Sequence, residues 1–308
     1  MTLEQLRIFV AVAEREHVTN AARDLNLTQS ATSAAVAALE ARYATKLFDR
    51  VGRRIALTDA GRLFLIEAKA VLARATAAEL VLADLAGLKV GSLGLAASQT
   101  VGNYWLPPFI HAFRSQHAGI AVSLTMGNTE TVAAQVRDGE ANLGFVEGEV
   151  DEPTLAVTTV ADDEMVLLAP PDHPWSRLGK DARPSLASTS WILRESGSGT
   201  RSTLAAMLRQ QGIAETDIDI GLVLPTNEAV RTAVAAGAGV TVMSRLVAAN
   251  ALAAGNLIAI DYPVPRRKFF MLHHKERYVT AAETEFMRLI GEGIQDSNGH
   301  RLPVRSPA

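Results

Sequence analysis

The 308-residue chain has no cysteine, which excludes disulfides, a thiol redox switch and thiolate metal sites. No apolar run approaches the roughly 18 residues needed to span a bilayer. The opening Met1-Thr2-Leu3-Glu4-Gln5-Leu6-Arg7 has neither a basic n-region nor an apolar signal core, so a cytoplasmic protein without membrane attachment is expected. A nucleophile–base pair and a phosphate-loop lysine are also missing, so no enzyme activity, cofactor or metal is expected. His273-His274 would point to opposite faces of a strand, a poor metal pair. Nor is there an overall excess of positive charge, since the formal net charge is −3.

Positive charge is nevertheless concentrated. Arg42, Lys46, Arg50, Arg53 and Arg54 face only Asp49 between residues 42 and 54, and local surplus matters more to phosphate attraction than the total. This cluster follows a stretch that reads as helix, turn and helix. Val18, Ala21, Ala22 and Leu25 give the first helix an apolar face, Asn26-Leu27 forms the turn, and Thr28 is the N-cap of the second helix. The second helix is expected to bury Ala31, Ala35, Val36 and Leu39. In a helix-turn-helix the first residues of the second helix meet base edges in the major groove. Thr28, Gln29, Ser30, Thr32 and Ser33 are therefore the candidate DNA-reading residues. Glutamine can pair bidentately with adenine, and serine is a tolerant short-range donor and acceptor. A plain helical hairpin is the alternative on pattern alone.

A helix from about Thr2 to Glu16 precedes this motif, packing Leu3, Leu6, Phe9, Val10 and Ala13. A short hairpin follows it, with Leu47 to Arg50 and Arg54 to Leu57 flanking Val51-Gly52-Arg53. On this wing Arg50, Arg53 and Arg54 are placed to meet phosphates or a minor groove. Thr58-Asp59 caps a long helix to about Leu85. Its Leu63, Ile66, Ala70, Ala73, Ala77 and Leu80 form a coiled-coil-like seam that fits a homodimer, or else a helix lying on its own domain. Gly87, Gly91 and Gly94 mark a linker.

From Ser92 the pattern alternates strands with helices, which implies α/β lobes with largely parallel sheets. The expected plan is a winged helix-turn-helix over 1–58, a linker helix over 59–87, and a two-lobed effector domain over 91–308. Lobe I takes about 91–161 and 266–295, and lobe II about 162–265. The tail from about Ser297 reads as disordered.

Taken together the chain resembles the LysR-type transcriptional regulators. The N-terminal resemblance lies in Leu6, Phe9, Ala21, Ala22, Leu25, Gln29, Ser30, Ala31, Ser33, Leu39, Glu40, Leu47, Phe48, Arg50, Thr58, Ala60 and Gly61. Ala34-Ala35 stands where many members carry a basic or polar pair, and Thr32 where an aliphatic is usual. The resemblance implies an effector domain like the periplasmic binding proteins, with a small ligand between its lobes. It also implies a homotetramer of dimers on bent operator DNA, with RNA polymerase a further partner. The strings Val101 to Tyr104, Gly127 to Thr129, Phe145 to Gly148, Trp191 to Arg201 and Thr226 to Val230 look most like the YeiE branch, which is associated with sulfite sensing. Neighbouring branches sense phosphometabolites or sulfur-assimilation metabolites.

The residues of the proposed cleft support an anion. Glu195 to Arg201 lies between a strand and a helix, where free helix N–H groups favour negative charge. Ser196, Ser198 and Thr200 add hydroxyls and Arg201 a counter-charge. Ser98-Gln99-Thr100, Gly127-Asn128-Thr129 and Pro225-Thr226-Asn227 are strand-to-helix junctions of the same kind, at the strand ends where open α/β sheets bind ligands. Ser98, Thr100, Asn128 and Asn227 join the candidate set. Glu147 would repel an anion. It is a candidate for orienting Arg201 or Arg194, or for meeting a protonated ligand oxygen or an amino group. A phosphorylated sugar or an amino-acid-like effector stays open. Asp162-Asp163-Glu164 reads as a solvated cluster at the lobe junction. A transporter's solute-binding protein would share the lobes but would need an export signal and no winged helix.

Overall fold

A computed structural model describes residues 1–51, 54–85, 91–178 and 183–296. The wing tip Gly52-Arg53, Gly87 of the expected linker and the tail from Ser297 lie outside these residues. The chain divides into two compact units, 1–86 with 138–140 and 87–137 with 141–308.

The first unit begins with α1, Leu3–Arg15. Thr2 Oγ1 accepts from the Gln5 N–H while Gln5 Oε1 accepts from the Thr2 N–H, a reciprocal capping box. Leu6, Ile8, Phe9, Val12 and Ala13 are buried, whereas Leu3 is exposed. Next come α2, Val18–Asp24, and α3, Gln29–Tyr43. Between them Asn26 adopts the left-handed conformation at φ 55°, which asparagine tolerates better than most residues. Thr28 caps α3, its Oγ1 accepting from the Ala31 N–H at 3.2 Å.

The buried face of α3 differs from the expected one. Thr32 and Leu39 are buried, Ala35 and Val36 pack beside them, and Ala31 is exposed. Positions 32, 35, 36 and 39 follow the i, i+3, i+4, i+7 rule from their first member, whereas a stripe starting at 31 does not. Thr32 thus fills the place where an aliphatic is usual.

Strands β1, Phe48–Val51, and β2, Arg54–Leu57, pair antiparallel from Phe48↔Leu57 to Val51↔Arg54. Phe48 and Phe64 lie 5.5 and 4.8 Å from the Phe9 ring, so the wing root and the long helix α4, Asp59–Leu85, share one core with α1. Thr58 caps α4 by accepting from the Gly61 N–H at 2.9 Å.

The base of the wing is held by one carboxylate. Glu40 Oε1 accepts from the Leu47 and Phe48 N–H groups at 2.8 and 3.1 Å, and Oε2 meets Lys46 Nζ at 3.2 Å. Burial alone would raise the Glu40 pKa, but the two N–H donors and Lys46 hold it below the usual carboxylate value. A carboxylate depressed on folding stabilises the protein above its unfolded pKa, and that contribution is lost as pH falls through the folded value. Glu40→Ala should cost about 1.5–3 kcal/mol at neutral pH, the worth of hydrogen bonds to a charged group. The difference from wild type should shrink in acid, as denaturant unfolding followed by circular dichroism can measure.

The second unit contains two lobes. The first holds β3 (Gly91–Ser98), a π-helical turn Val101–Trp105, α5 (Pro107–Gln116), β4 (Ile120–Gly127), α6 (Thr129–Asp138), β5 (Leu143–Val146) and β6 (Leu155–Asp163). The second holds β7 (Met165–Ala169), β8 (Ser190–Arg194), α7 (Gly199–Gln210), β9 (Asp219–Leu224), α8 (Asn227–Ala235), β10 (Thr241–Ser244), α9 (Arg245–Ala253) and β11 (Ile258–Ile260). The chain then returns through β12, Arg267–His274, to the first lobe, and the last described element is α10, Ala281–Asp296.

The sheets are mixed rather than largely parallel. In the first lobe the order is β4-β3-β5-β12-β6, with β3 parallel to β4 and β5, and β12 antiparallel to β5 and β6. The antiparallel pairs arise because the returning strand enters from the opposite direction. In the second lobe β7 pairs antiparallel with β10 and β11, while β8 and β9 are parallel. Gly91 and Gly94 belong to β3 rather than to a linker, and the Gly94 N–H donates to Asn142 Oδ1 at 2.8 Å. The π-helical turn stops at Trp105 and does not run on into α5. Pro107-Pro108 supplies no N–H donors and starts α5 afresh.

Each lobe has a core on both faces of its sheet. Leu93, Leu95, Phe113, Phe145, Phe269 and Phe286 meet on one face in the first lobe, while Val132, Val136 and Leu272 meet on the other. Trp191, Leu193 and Met207 face Ile192, Val230 and Met243 across the sheets of the second. The parallel strands end at Ser98, Gly127, Val146, Arg194 and Leu224. Most of the candidate effector residues lie at or just beyond those ends.

Candidate DNA-reading and effector sites

The first turn of α3 presents Gln29 and Ser30 to solvent, with Ser33 half-buried. Thr28 is engaged as the cap, and its Oγ1 lies 3.1 Å from Ser30 Oγ. Thr32 is corrected from the reading set. It is fully buried, and its hydroxyl donates back to the Thr28 carbonyl at 3.1 Å. Arg50 and Arg54 lie on β1 and β2, but their side chains, like all of Arg53, fall outside the described residues. Lys46 of the basic cluster is paired with Glu40, while the Arg42 guanidinium lies over the Tyr43 ring at 5.6 Å from its centre.

In the second unit, four of the expected effector residues form one connected set. Thr100 Oγ1 accepts from Asn227 Nδ2 at 3.0 Å and lies 3.2 Å from Glu147 Oε1. Thr200 Oγ1 accepts from Arg267 Nη1 at 3.2 Å. Arg267 in turn stands 3.8 Å from Glu147 Oε1. Ser198 begins α7 without capping it, since its hydroxyl, although buried, makes no hydrogen bond. The free N–H groups of an uncapped helix start are a ready anion site.

Other expected members are placed differently. Asn128 Oδ1 caps the start of α6 by accepting from the Thr131 N–H at 3.0 Å, and its Nδ2 reaches Glu195 and the Ser196 carbonyl at 3.4 Å. Asn128 therefore ties the lobes together beside an exposed Ser196. Ser98 is buried with its hydroxyl directed to the Phe145 carbonyl at 3.4 Å. Arg201 is corrected as a counter-charge. It turns to Glu215, with Nε at 3.0 Å from Oε1, and to the Arg194 carbonyl at 3.2 Å.

The buried charges come largely from residues outside the expected set. Arg267 donates from Nε to Asp163 Oδ2 at 2.8 Å and also from Nη2, while Ser244 donates to Asp163 Oδ1 at 2.6 Å. Asp163 is thus buried and fully engaged rather than solvated. Only its neighbours Asp162 and Glu164 are exposed. Arg194 pairs through Nε and Nη2 with the two oxygens of Glu195, each at 2.8 Å, and through Nη1 with Asn227 Oδ1 at 2.5 Å. The alternation of β12 carried the signal for Arg267, since it shares a face with buried Phe269 and Met271. Gln99 and Tyr104 add inter-lobe bonds. Gln99 Oε1 accepts from the Asn227 N–H at 2.9 Å, and Tyr104 donates to Glu228 Oε1 at 2.9 Å. Among the described residues no group of three or more His, Cys, Asp or Glu side chains could hold a metal ion. None of the described helices is long and apolar enough to cross a membrane.

A helix-turn-helix with a wing, joined in one chain to a two-lobed domain with an uncapped helix at its inter-lobe polar cluster, defines a ligand-responsive DNA-binding regulator. Residues 3–62 match the bacterial regulatory helix-turn-helix proteins of the lysR family, and residues 86–295 match the LysR substrate binding domain. The chain belongs to the LysR family: it is a DNA-binding transcriptional regulator with a small-molecule effector domain, not an enzyme. It is 34% identical over 289 residues to the uncharacterized HTH-type transcriptional regulator YeiE of Escherichia coli (strain K12), covering 93% of this chain and 96% of that protein. Its fold is similar to that of the LysR family transcriptional regulator CbnR, with a TM-score of 0.70, 22% identity, and 96% and 99% of the two chains covered. The regulatory domain of CcmR from Synechocystis PCC6803, solved with 2-PG, aligns with a TM-score of 0.61 at 26% identity, covering 67% of this chain and 98% of that one.

Proposed function

We propose that this regulator couples a small oxyanion, with sulfite the leading candidate, to operator binding by α3. The observation that carries the effector class is the uncapped start of α7, where the Ser198 hydroxyl is buried without a partner. Ser198, Thr200 and the first N–H groups of α7 donate to the anion. Thr100, Asn227 and Arg267 hold the surrounding polar frame, and Asn128 and Ser196 close one side of it. A phosphorylated metabolite fits the same donors, and the 2-PG bound by the CcmR domain favours it as the second reading. Sulfite is placed first because the strings around Glu147 and Ser198 resemble the sulfite-sensing branch of the family, as noted from the sequence.

On DNA, Gln29, Ser30 and Ser33 read bases, while Arg50, Arg53 and Arg54 neutralise phosphates. The protein works in the cytoplasm as a homodimer through α4, assembled further into a homotetramer that meets RNA polymerase at the promoter. The dimer is supported by α4 itself. Phe64, Leu65, Ala68 and Leu72 pack on the winged domain, yet Leu63 and Ile66 on another face are 70% and 55% exposed. A helix that merely lay on its own domain would leave no second apolar face. Ala70 and Ala73 are half-buried on the seam; the side chains of Ala77 and Leu80 are outside the described set.

The reading is tested by footprinting the full-length protein on its own promoter with and without sulfite, sulfate and a sugar phosphate. Gln29→Ala should weaken operator binding by about 1–3 kcal/mol and relax selectivity at one base position. One anion should change the footprint. Equal selectivity in the variant would overturn the base-reading role, and a footprint blind to every anion would overturn the effector class.

A further inference from the structure

Three buried side-chain atoms without hydrogen-bond partners surround the start of α7: Glu147 Oε2, Ser198 Oγ and Thr129 Oγ1. Glycines bring them together. A Cβ on Gly199 would stand 2.9 Å from both Glu147 Cγ and the Gly148 nitrogen, and one on Gly148 would stand 2.7 Å from Thr129 Oγ1. No larger residue fits at either position without movement, so the helix start and the Glu147 backbone touch directly.

The surrounding charges are already matched. The Arg267 guanidinium is held by Asp163 and Thr200, and that of Arg194 by Glu195 and Asn227. Glu147 is therefore a third carboxyl among two buried arginines. If it were ionised, an arriving oxyanion would meet a buried like charge. Its two oxygens are not equivalent. Thr100 accepts from Asn227 and so directs its own hydrogen at Glu147 Oε1, leaving Oε2 as the oxygen free to carry a proton.

Resting on the oxyanion reading above, we propose that Glu147 is the specificity-determining residue, holding one proton between its Oε2 and a ligand oxygen, so that the site binds an oxyanion together with one proton. The donors of α7, Ser198 and Thr129 take the remaining lone pairs, and Glu147 supplies the one contact that ligand charge would otherwise forbid. The groups facing Glu147 are Arg267 and Asp163 from the paired ends of β12 and β6, Arg194 from β8, and Thr100 after β3. Burial pushes the Glu147 carboxyl above its ordinary pKa against the pull of Arg267 and Thr100, which favours the protonated form.

The test is calorimetry of full-length protein with sulfite and with sulfate, from mildly acidic to alkaline pH, in buffers of different ionisation heat. In wild type the affinity for the fully deprotonated anion should fall about tenfold per pH unit at the alkaline end, with about one proton taken up per site. Glu147→Gln, which offers an N–H in place of the O–H, should bind with that slope removed and with affinity near wild type at low pH. A flat wild-type profile, or a slope kept by Glu147→Gln, overturns the proposal while leaving the anion site standing. If no probe anion binds wild type, the effector reading itself fails and this inference falls with it. Should Glu147→Gln not fold, infrared difference spectra of wild type decide. A protonated carboxyl band gained on binding at alkaline pH supports the shared proton, and its absence overturns it.

Discussion

Arg267→Met is expected to destabilise the effector unit by about 3–5 kcal/mol, the usual result of removing one partner from a buried ion pair. Methionine matches the length of the stem but supplies none of the three donating nitrogens. Asp163 would keep only Ser244 as a partner, and Thr200 would lose its donor. A charge buried as deeply as Asp163 cannot recover its hydration without opening the lobe junction. The three tryptophans, Trp105, Trp175 and Trp191, all lie in this unit, so tryptophan fluorescence during denaturant unfolding reports it alone. The double variant Arg267→Met with Asp163→Leu should recover much of the loss, because the cost lies in the orphaned charge. A double variant as unstable as the single would mean that packing of the arginine stem, rather than charge, holds the junction.

Ala73→Glu is expected to lower operator affinity by about 10²–10⁴-fold, the advantage that two linked reading heads hold over one. Ala73 sits on the proposed seam with Leu63, Ile66 and Ala70, away from the Phe64, Leu65, Ala68 and Leu72 face that packs on the winged domain. A glutamate there would meet its own copy across the seam, placing two like charges in an apolar contact. The unit itself should stay folded, because nothing in its core is touched. Light scattering should show a smaller particle and a gel shift should show the lost affinity. An unchanged particle size would mean that subunits assemble through another surface.

Much of the first unit was legible because its helices carry strong local signals. Thr2, Thr28 and Thr58 are all caps, and Ala21-Ala22 marks the crossing of α2 with its neighbours. Ala35, Val36 and Leu39 of α3 lie on the expected face, and a strict i, i+3, i+4, i+7 count back from Leu39 puts Thr32 rather than Ala31 at its head. In the second unit the strand ends and their hydroxyls were legible, but the charges among them were not. Asp163 and Arg267 are 104 residues apart and meet only because β12 returns beside β6, a pairing that no local pattern encodes. The partner of Arg201 is hidden from the sequence for a related reason. The residue that claims it, Glu215, lies beyond α7, and only the fold shows it to be near.

That pairing of Asp163 with Arg267 has a mechanical consequence. Asp163 is the last residue before the chain enters the second lobe, and Arg267 is the first strand residue after it returns. They are direct register partners, and Ser244 of the second lobe is bonded to the same carboxylate. The two crossings are thus pinned to each other at one point, so the lobes can rotate about that point but cannot slide past it. Hinge motion is favoured over shear. The pivot and the proposed anion site share an arginine, because the guanidinium that pins the crossings also donates to Thr200. On the proposed reading, a ligand that draws on Thr200 would pull at the fulcrum, where a small displacement would sweep the far edges of the lobes through a much larger arc.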